Sequence, residues 1–119
     1  MPRILVADDE SDIRFLYSRW LTAGGYTPIE AHDGPIVLDK FAENDVDMVL
    51  LDVMMPRMDG YEVCEKLRAG GCTAPIVMVS ALSSPADVAR GEAAGATAYV
   101  EKVASKDNLL TLVARMLAG

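Results

Sequence analysis

Carboxylates, one hydroxyl and one amine recur at the same kind of place in this 119-residue chain, at the end of a short apolar run. Asp8-Asp9-Glu10 follow Ile4-Leu5-Val6-Ala7, and Asp52 follows Met48-Val49-Leu50-Leu51. Ser80 closes Ile76-Val77-Met78-Val79, and Glu101-Lys102 follow Ala98-Tyr99-Val100. If these runs are neighbouring strands, the reactive groups converge on one rim. Carboxylates packed together repel one another and lose solvation, which raises their pKa values. A hard divalent cation resolves that conflict, and Mg²⁺ favours a few carboxylate oxygens together with water and phosphate oxygens. A carboxylate is also a nucleophile toward phosphorus, giving an aspartyl phosphate. Phosphoryl transfer asks the protein mainly for positioning and for cations around the developing charge. A metal ion and Lys102 would supply those cations, and the Ser80 hydroxyl would donate to a phosphoryl oxygen.

Taken singly, each residue has a plainer reading. Asp8 or Asp52 alone reads equally well as a helix cap, Lys102 as a surface lysine and Tyr99 as half-buried strand packing. Their joint occurrence at strand ends favours chemistry. Asp9 and Glu10 also suit the first turn of a helix, and Glu10 is read as structural there. Asp59-Gly60 reads as a turn and cap ahead of a helix. His32, the sole histidine, lies beside Asp33 with no partner cluster and is read as exposed. Met54, Met55 and Met58 read as packing, and Cys64 as part of a helix core face.

The elements that must position these groups follow from periodicity. The first three apolar runs are continuous, as in parallel strands covered on both faces. Ile13, Leu16, Tyr17, Trp20 and Leu21 repeat at helical spacing, as do Leu109, Leu112, Val113, Met116 and Leu117. Val63, Cys64 and Leu67 give a shorter face, and Leu38, Phe41 and Ala42 another. A fourth helix is expected near Pro85 to Ala94. Gly24-Gly25, Asp33-Gly34-Pro35 and Gly70-Gly71 punctuate the segments. A weaker strand runs from Tyr26 to Ala31, and Pro28 inside it cannot donate to a ladder, which assigns that strand to a sheet edge. Five strands alternating with five helices imply an α/β fold, a doubly wound parallel sheet in the flavodoxin-like order 2-1-3-4-5.

Bulk properties narrow the class further. The length suits one domain, residues 1–119. With 51% hydrophobic and 24% charged residues the chain is globular in composition, not disordered. The formal charge of −7 argues against direct nucleic-acid binding, which relies on basic patches. No apolar run approaches the roughly 20 residues that span a bilayer. No signal peptide is visible and Cys64 and Cys72 show no metal or redox spacing, so a reducing, cytoplasmic location is expected.

The segment Leu50-Leu51-Asp52-Val53-Met54-Met55-Pro56-Arg57-Met58-Asp59-Gly60 resembles the phospho-acceptor signature of response-regulator receiver domains of two-component signalling, the CheY-like family. The acidic pair after the first strand, Ser80-Ala81 after the fourth, and Tyr99 three residues before Lys102 match in order and spacing. The resemblance covers essentially the whole chain. It implies that Asp52 takes a phosphoryl group from a histidine kinase or histidine phosphotransfer protein. It further implies that Asp8, Asp9 and Asp52 hold Mg²⁺ with the backbone carbonyl of Met54, Asp9 being the more direct ligand of the first pair. Lys102 would pair with phosphoryl oxygens, Ser80 would move toward the phosphate, and Tyr99 would rotate inward behind it. Output would pass to a downstream protein effector through the helix 4–strand 5–helix 5 face. The module would be no enzyme beyond its own phosphoryl transfer and dephosphorylation. In receivers of winged-helix transcription factors, acids just before the fifth strand pair across a dimer. Here Ala96-Thr97-Ala98 stand there, with Arg90 and Arg115 on the basic side, so a monomer or a dimer of another kind is expected.

One departure concerns the residue after the lysine: most receivers have proline, often after a cis bond, and this chain has Val103. A cis bond before a non-proline residue costs about 3–4 kcal/mol, so a trans bond is open to this chain and the placement of Lys102 depends on it. Met54 and Leu82, two residues past Asp52 and Ser80, are apolar where a water-orienting acid or amide could stand, which predicts slow self-dephosphorylation. A haloacid-dehalogenase-type phosphatase would need an Asp where Met54 stands, and a flavodoxin would need a phosphate loop where Asp8-Asp9-Glu10 would repel the phosphate. The remaining alternative is a pseudo-receiver that binds partners without phosphorylation, although this chain retains every acid and the lysine. No effector-like segment follows the last helix, which leaves a receiver acting alone or a part of a longer regulator or hybrid kinase.

Overall fold

Strands and helices alternate along the chain in the computed structural model, which describes residues 1–103 and 105–119. In order they are β1 (Arg3–Ala7), α1 (Ser11–Ala23), β2 (Thr27–Ala31), α2 (Gly34–Glu43), β3 (Met48–Leu51), α3 (Gly60–Ala69), β4 (Ile76–Ser80), α4 (Pro85–Ala94), β5 (Ala98–Glu101) and α5 (Lys106–Ala118). The strands pair in parallel in the order β2-β1-β3-β4-β5. The strand that contains Pro28 lies at the edge, as its missing donor requires.

Side-chain alternation along each strand feeds two separate cores. Leu5, Ala7, Val49, Leu51, Ile76 and Met78 point to one face, where they meet Val37 of α2 and Val63, Cys64 and Leu67 of α3. Ile4, Val6, Met48, Leu50, Val77 and Val79 point to the other, against Tyr17 and Leu21 of α1 and Leu109, Leu112 and Val113 of α5. A buried Val, Leu or Ile contributes about 1.5–3 kcal/mol when removed from water. This two-sided burial explains why the strands read as unbroken apolar runs. Both cysteines are free and buried.

Helix starts follow the capping residues. Asp33 Oδ1 accepts from Ile36 N at 2.9 Å and Asp59 Oδ1 from Glu62 N at 3.0 Å, while Ser84 and Asp87 form a reciprocal capping box on α4. Gly60 opens α3 where a Cβ would stand 2.4 Å from the Asp52 carbonyl oxygen, so only glycine lets that helix start against the strand end.

Two helix faces differ from the expected stripes. On α1 the buried residues are Tyr17, Ser18 and Leu21, and Leu16 is 39% exposed. On α2 Val37 is the buried anchor, with Leu38 and Phe41 partly buried and Ala42 exposed. An apolar stripe at i, i+3, i+4 is about 100° wide, and which edge of it meets the sheet depends on how the helix lies across the strands.

Candidate functional site

Strand register brings the reactive groups to one rim. Ala7 stands opposite Leu51, so Asp8 and Asp52 leave the sheet at the same level, and Asp52 N donates to the Ala7 carbonyl at 2.9 Å. Ser80 stands opposite Glu101, and Lys102 N donates to the Ser80 carbonyl at 3.1 Å. The acids of the first strand end, the acid of the third and the lysine of the fifth thereby face one crevice at the carboxyl ends of the strands.

Lys102 is the centre of this arrangement. Its Nζ donates to Asp8 Oδ2 at 2.5 Å and to Asp52 Oδ2 at 3.4 Å, with Glu10 Oε1 at 3.8 Å. Asp8 is also held by Glu10 N, which donates to its Oδ1 at 2.9 Å. Asp52 Oδ1 accepts from Met54 N at 3.4 Å. Only 4% of the Asp52 surface reaches solvent. Burial, and then the neighbouring Asp8 charge, push the Asp52 carboxyl up to about 6, against the opposing pull of Lys102. Burial would lower the pKa of Lys102, but the Asp8 hydrogen bond and the two carboxylate charges outweigh it and raise the value.

Asp9 and Glu10 are exposed at the mouth, and one oxygen from each of Asp8, Asp9 and Glu10 lies within 4.8 Å of the others. Glu10 occupies the α1 N-cap position without making a side-chain cap hydrogen bond. Its carboxylate groups with those of Asp8 and Asp9, in addition to the structural role expected of it in the first turn of the helix. Asp8, Glu10 and Asp52 place three carboxylates around one ammonium, and Asp9 adds a fourth beside Asp8 and Glu10. An all-oxygen set with that excess of negative charge suits a hard cation such as Mg²⁺.

Ser80 is fully buried, and its Oγ accepts from Leu82 N at 3.1 Å. Tyr99 is partly buried, packed over the core that includes Met78 and Ala94. Its hydroxyl donates to the Leu82 carbonyl at 2.5 Å and lies 3.5 Å from the Tyr61 hydroxyl of α3. The ring is seated against α4 because residue 91 is glycine; a Cβ there would stand 2.8 Å from Tyr99 Cδ2. Met55 is buried and Met58 packs against the core. Met54, expected to pack, is 63% exposed beside Asp52, and Leu82 is 40% exposed beside Ser80. No cis peptide bond occurs among the described residues, so the Lys102–Val103 bond is trans. His32 is exposed, as expected.

Some residues of the rim carry no local signal in the sequence. Arg57 has a left-handed backbone, φ 70°, and its guanidinium forks onto buried Asp33 Oδ2 at 2.8 and 3.1 Å. That contact ties the loop after Asp52 to the start of α2. The Ile36 N–H, then the Arg57 guanidinium, hold the Asp33 carboxyl below its usual range against the effect of burial.

A family model for the response regulator receiver domain matches residues 4–114. The chain belongs to the response regulator receiver family. The response regulator MprA of Mycobacterium avium (strain 104) is 41% identical to this receiver over 115 residues, covering 97% of this chain and 50% of the relative. The chain thus spans about half the length of the curated relatives it matches. Among solved structures, the Vibrio cholerae chemotaxis protein CheY4 superposes on this receiver with a TM-score of 0.93 at 32% identity, covering 98% of each chain. The Francisella response regulator 1452 receiver domain superposes with a TM-score of 0.92 at 30% identity, covering 99% of this chain and 98% of that one. As a receiver the chain is the signal-accepting part of a two-component response regulator, and its rim of acids, hydroxyl and ammonium is consistent with phosphoryl acceptance.

Proposed function

We propose that this receiver accepts a phosphoryl group on Asp52 from a histidine kinase or histidine phosphotransfer protein, and that transfer depends on Mg²⁺. The observation that carries the reading is the buried Asp52 carboxylate, held on one oxygen by Lys102, which in turn is held by Asp8. An Asp52 oxygen attacks phosphorus as the bond from phosphorus to the donor nitrogen breaks, and the electron pair of that bond leaves with the donor imidazole. Lys102 is already within reach of the attacked position and pairs with a phosphoryl oxygen. Ser80 gives up Leu82 N and donates its hydroxyl to another. Asp8, Asp9, Asp52 and the Met54 carbonyl are the residues that would hold Mg²⁺, which supplies positive charge against the phosphoryl oxygens.

The switch then runs outward from Ser80. Releasing Leu82 loosens the start of α4, a helix whose own buried residues are only Gly91 and Ala94. Little apolar surface holds it, so α4, β5 and α5 form the output face toward a downstream protein effector. The receiver works as a cytoplasmic monomer and catalyses only its own phosphoryl transfer and dephosphorylation.

The test is incubation with acetyl phosphate, with and without Mg²⁺, followed by intact mass. Uptake of one phosphoryl group only when the ion is present supports the proposal. No uptake under either condition would favour the pseudo-receiver instead, and uptake undiminished by a chelator would remove the metal from the account.

A further inference from the structure

The residue after Lys102 is fastened from an unexpected direction. Tyr17 of α1, 86 positions away, accepts from Val103 N on its hydroxyl at 3.0 Å and donates the same hydroxyl to the Val103 carbonyl at 3.0 Å. A single side-chain oxygen therefore satisfies both backbone groups of Val103. The tyrosine is itself packed on all sides: it is buried in the core beneath α1 and α5, and its ring stacks on Trp20 with centroids 5.8 Å apart. On the other side of Lys102, the Lys102 N–H is fixed by the Ser80 carbonyl at 3.1 Å. The lysine backbone is thus held between two anchors, and its ammonium spans from Asp8 to Asp52.

The same helix also begins directly after Asp8-Asp9-Glu10. Through its N-terminus α1 follows the acids, and through Tyr17 it holds the loop that carries the ammonium. Both signs of charge in the site are referred to one rigid element.

We propose that Tyr17 is a positioning residue for Lys102, its hydroxyl setting the backbone after the lysine and so the place of the ammonium between Asp8 and Asp52. This rests on the reading of Asp52 as phosphoryl acceptor. Proline at position 103 would need no partner for an N–H and would bias Lys102 toward extended backbone by itself. Valine leaves a polar N–H that requires one, and the Tyr17 hydroxyl meets that requirement.

The experiment compares wild type, Tyr17→Phe and Tyr17→Phe/Val103→Pro. It reads the rate of Asp52 labelling at saturating acetyl phosphate, the Mg²⁺ concentration for half-maximal labelling, and the Lys102 side-chain ¹⁵N resonance. Tyr17→Phe is expected to slow labelling by about 10- to 100-fold, the range for a misplaced reacting group, with the Mg²⁺ midpoint unchanged and the Lys102 resonance moved. The double variant is expected to regain most of the rate. Labelling of Tyr17→Phe at the wild-type rate would overturn the proposal. So would a slowed rate with a matching loss of Mg²⁺ binding and no recovery in the double variant. If Tyr17→Phe does not fold, amide exchange at Val103 in the wild type decides: a protected amide supports the clamp, and exchange at the open-chain rate overturns it. If the wild type takes no label, the reading of Asp52 fails on its own. The clamp is then judged by the Lys102 resonance, which must move in Tyr17→Phe.

Discussion

Ser80 and Tyr99 are joined through one residue: Leu82 gives its backbone N–H to Ser80 Oγ at 3.1 Å and takes the Tyr99 hydroxyl on its carbonyl at 2.5 Å. A change in where the Ser80 hydroxyl points therefore reaches Tyr99 through the backbone of a single residue. Tyr99 lies over Gly91, with its hydroxyl near that of Tyr61. Tyr61 in turn donates to the Asp87 carbonyl of α4 at 3.3 Å, and the Arg90 guanidinium sits 4.3 Å over its ring. Release of Leu82 would be felt by α3, α4 and β5 together.

Gly91→Ala tests that seat. Alanine improves helix propensity by up to about 1 kcal/mol, but its Cβ would stand 2.8 Å from Tyr99 Cδ2. Overpacking of this kind costs about 1–3 kcal/mol, so a net loss of stability is expected in urea titration, with the Tyr99 ring resonances displaced. A stabilised variant with unmoved Tyr99 resonances would refute the packing argument.

Asp52→Asn is expected to stabilise the protein at neutral pH in the absence of divalent ions. The folded-state value near 6 stands above the unfolded-state value of about 4, so the folded state binds the extra proton more readily. Stability therefore falls as pH rises from about 4 to about 6, and the deficit is complete above that window. Asparagine removes the deficit but leaves Lys102 with one carboxylate fewer, for a net gain of about 1–2 kcal/mol at pH 7. Below about pH 4 the gain should vanish. Urea titration at both pH values checks this, and an equal gain at the two would contradict the assignment of burial as the cause.

Much of this was legible in residue order, and the reasons differ by feature. Pro28 marked the edge strand because a missing N–H is a property of one residue. Asp8, Asp52, Ser80 and Lys102 were legible as a set because parallel strands end at one rim, so position along the chain reports position in space. The exposure of Leu16 and the anchoring role of Val37 were not, since periodicity gives a face but not which edge of it meets the sheet. Nor could the spacing show Tyr17 on Val103 or Arg57 on Asp33. These bonds join residues 86 and 24 positions apart, and nothing local in either partner specifies the other. Lys66, Arg68 and Arg90 look alike as exposed-helix cations. Only the fold shows Arg68 donating to the Gly95, Cys72 and Ala74 carbonyls at 2.7–3.0 Å and fastening the end of α4.

The phosphorylated form should lose its phosphoryl group slowly for a receiver. Met54 and Leu82 stand exposed beside Asp52 and Ser80, and neither can orient water by hydrogen bonding. Met54→Glu together with Leu82→Asn is expected to speed hydrolysis by about tenfold or more, the low end of what a positioned acid–base group supplies, while phosphorylation persists. Decay followed by ³¹P resonance checks this. A wild-type phosphoprotein that decays as fast as the double variant would show that apolar shielding is not what sets the lifetime.

The central claim, that Asp52 is the acceptor because the rim built by Asp8, Asp9, Ser80 and Lys102 surrounds it, is tested most directly by locating the label. After incubation with acetyl phosphate and Mg²⁺, the acyl phosphate is trapped by borohydride reduction and the chain is mapped by peptide mass. The account requires one modified residue, Asp52, and no modification in Asp52→Asn. Label on any other carboxylate of the wild type, or undiminished label in Asp52→Asn, would contradict it.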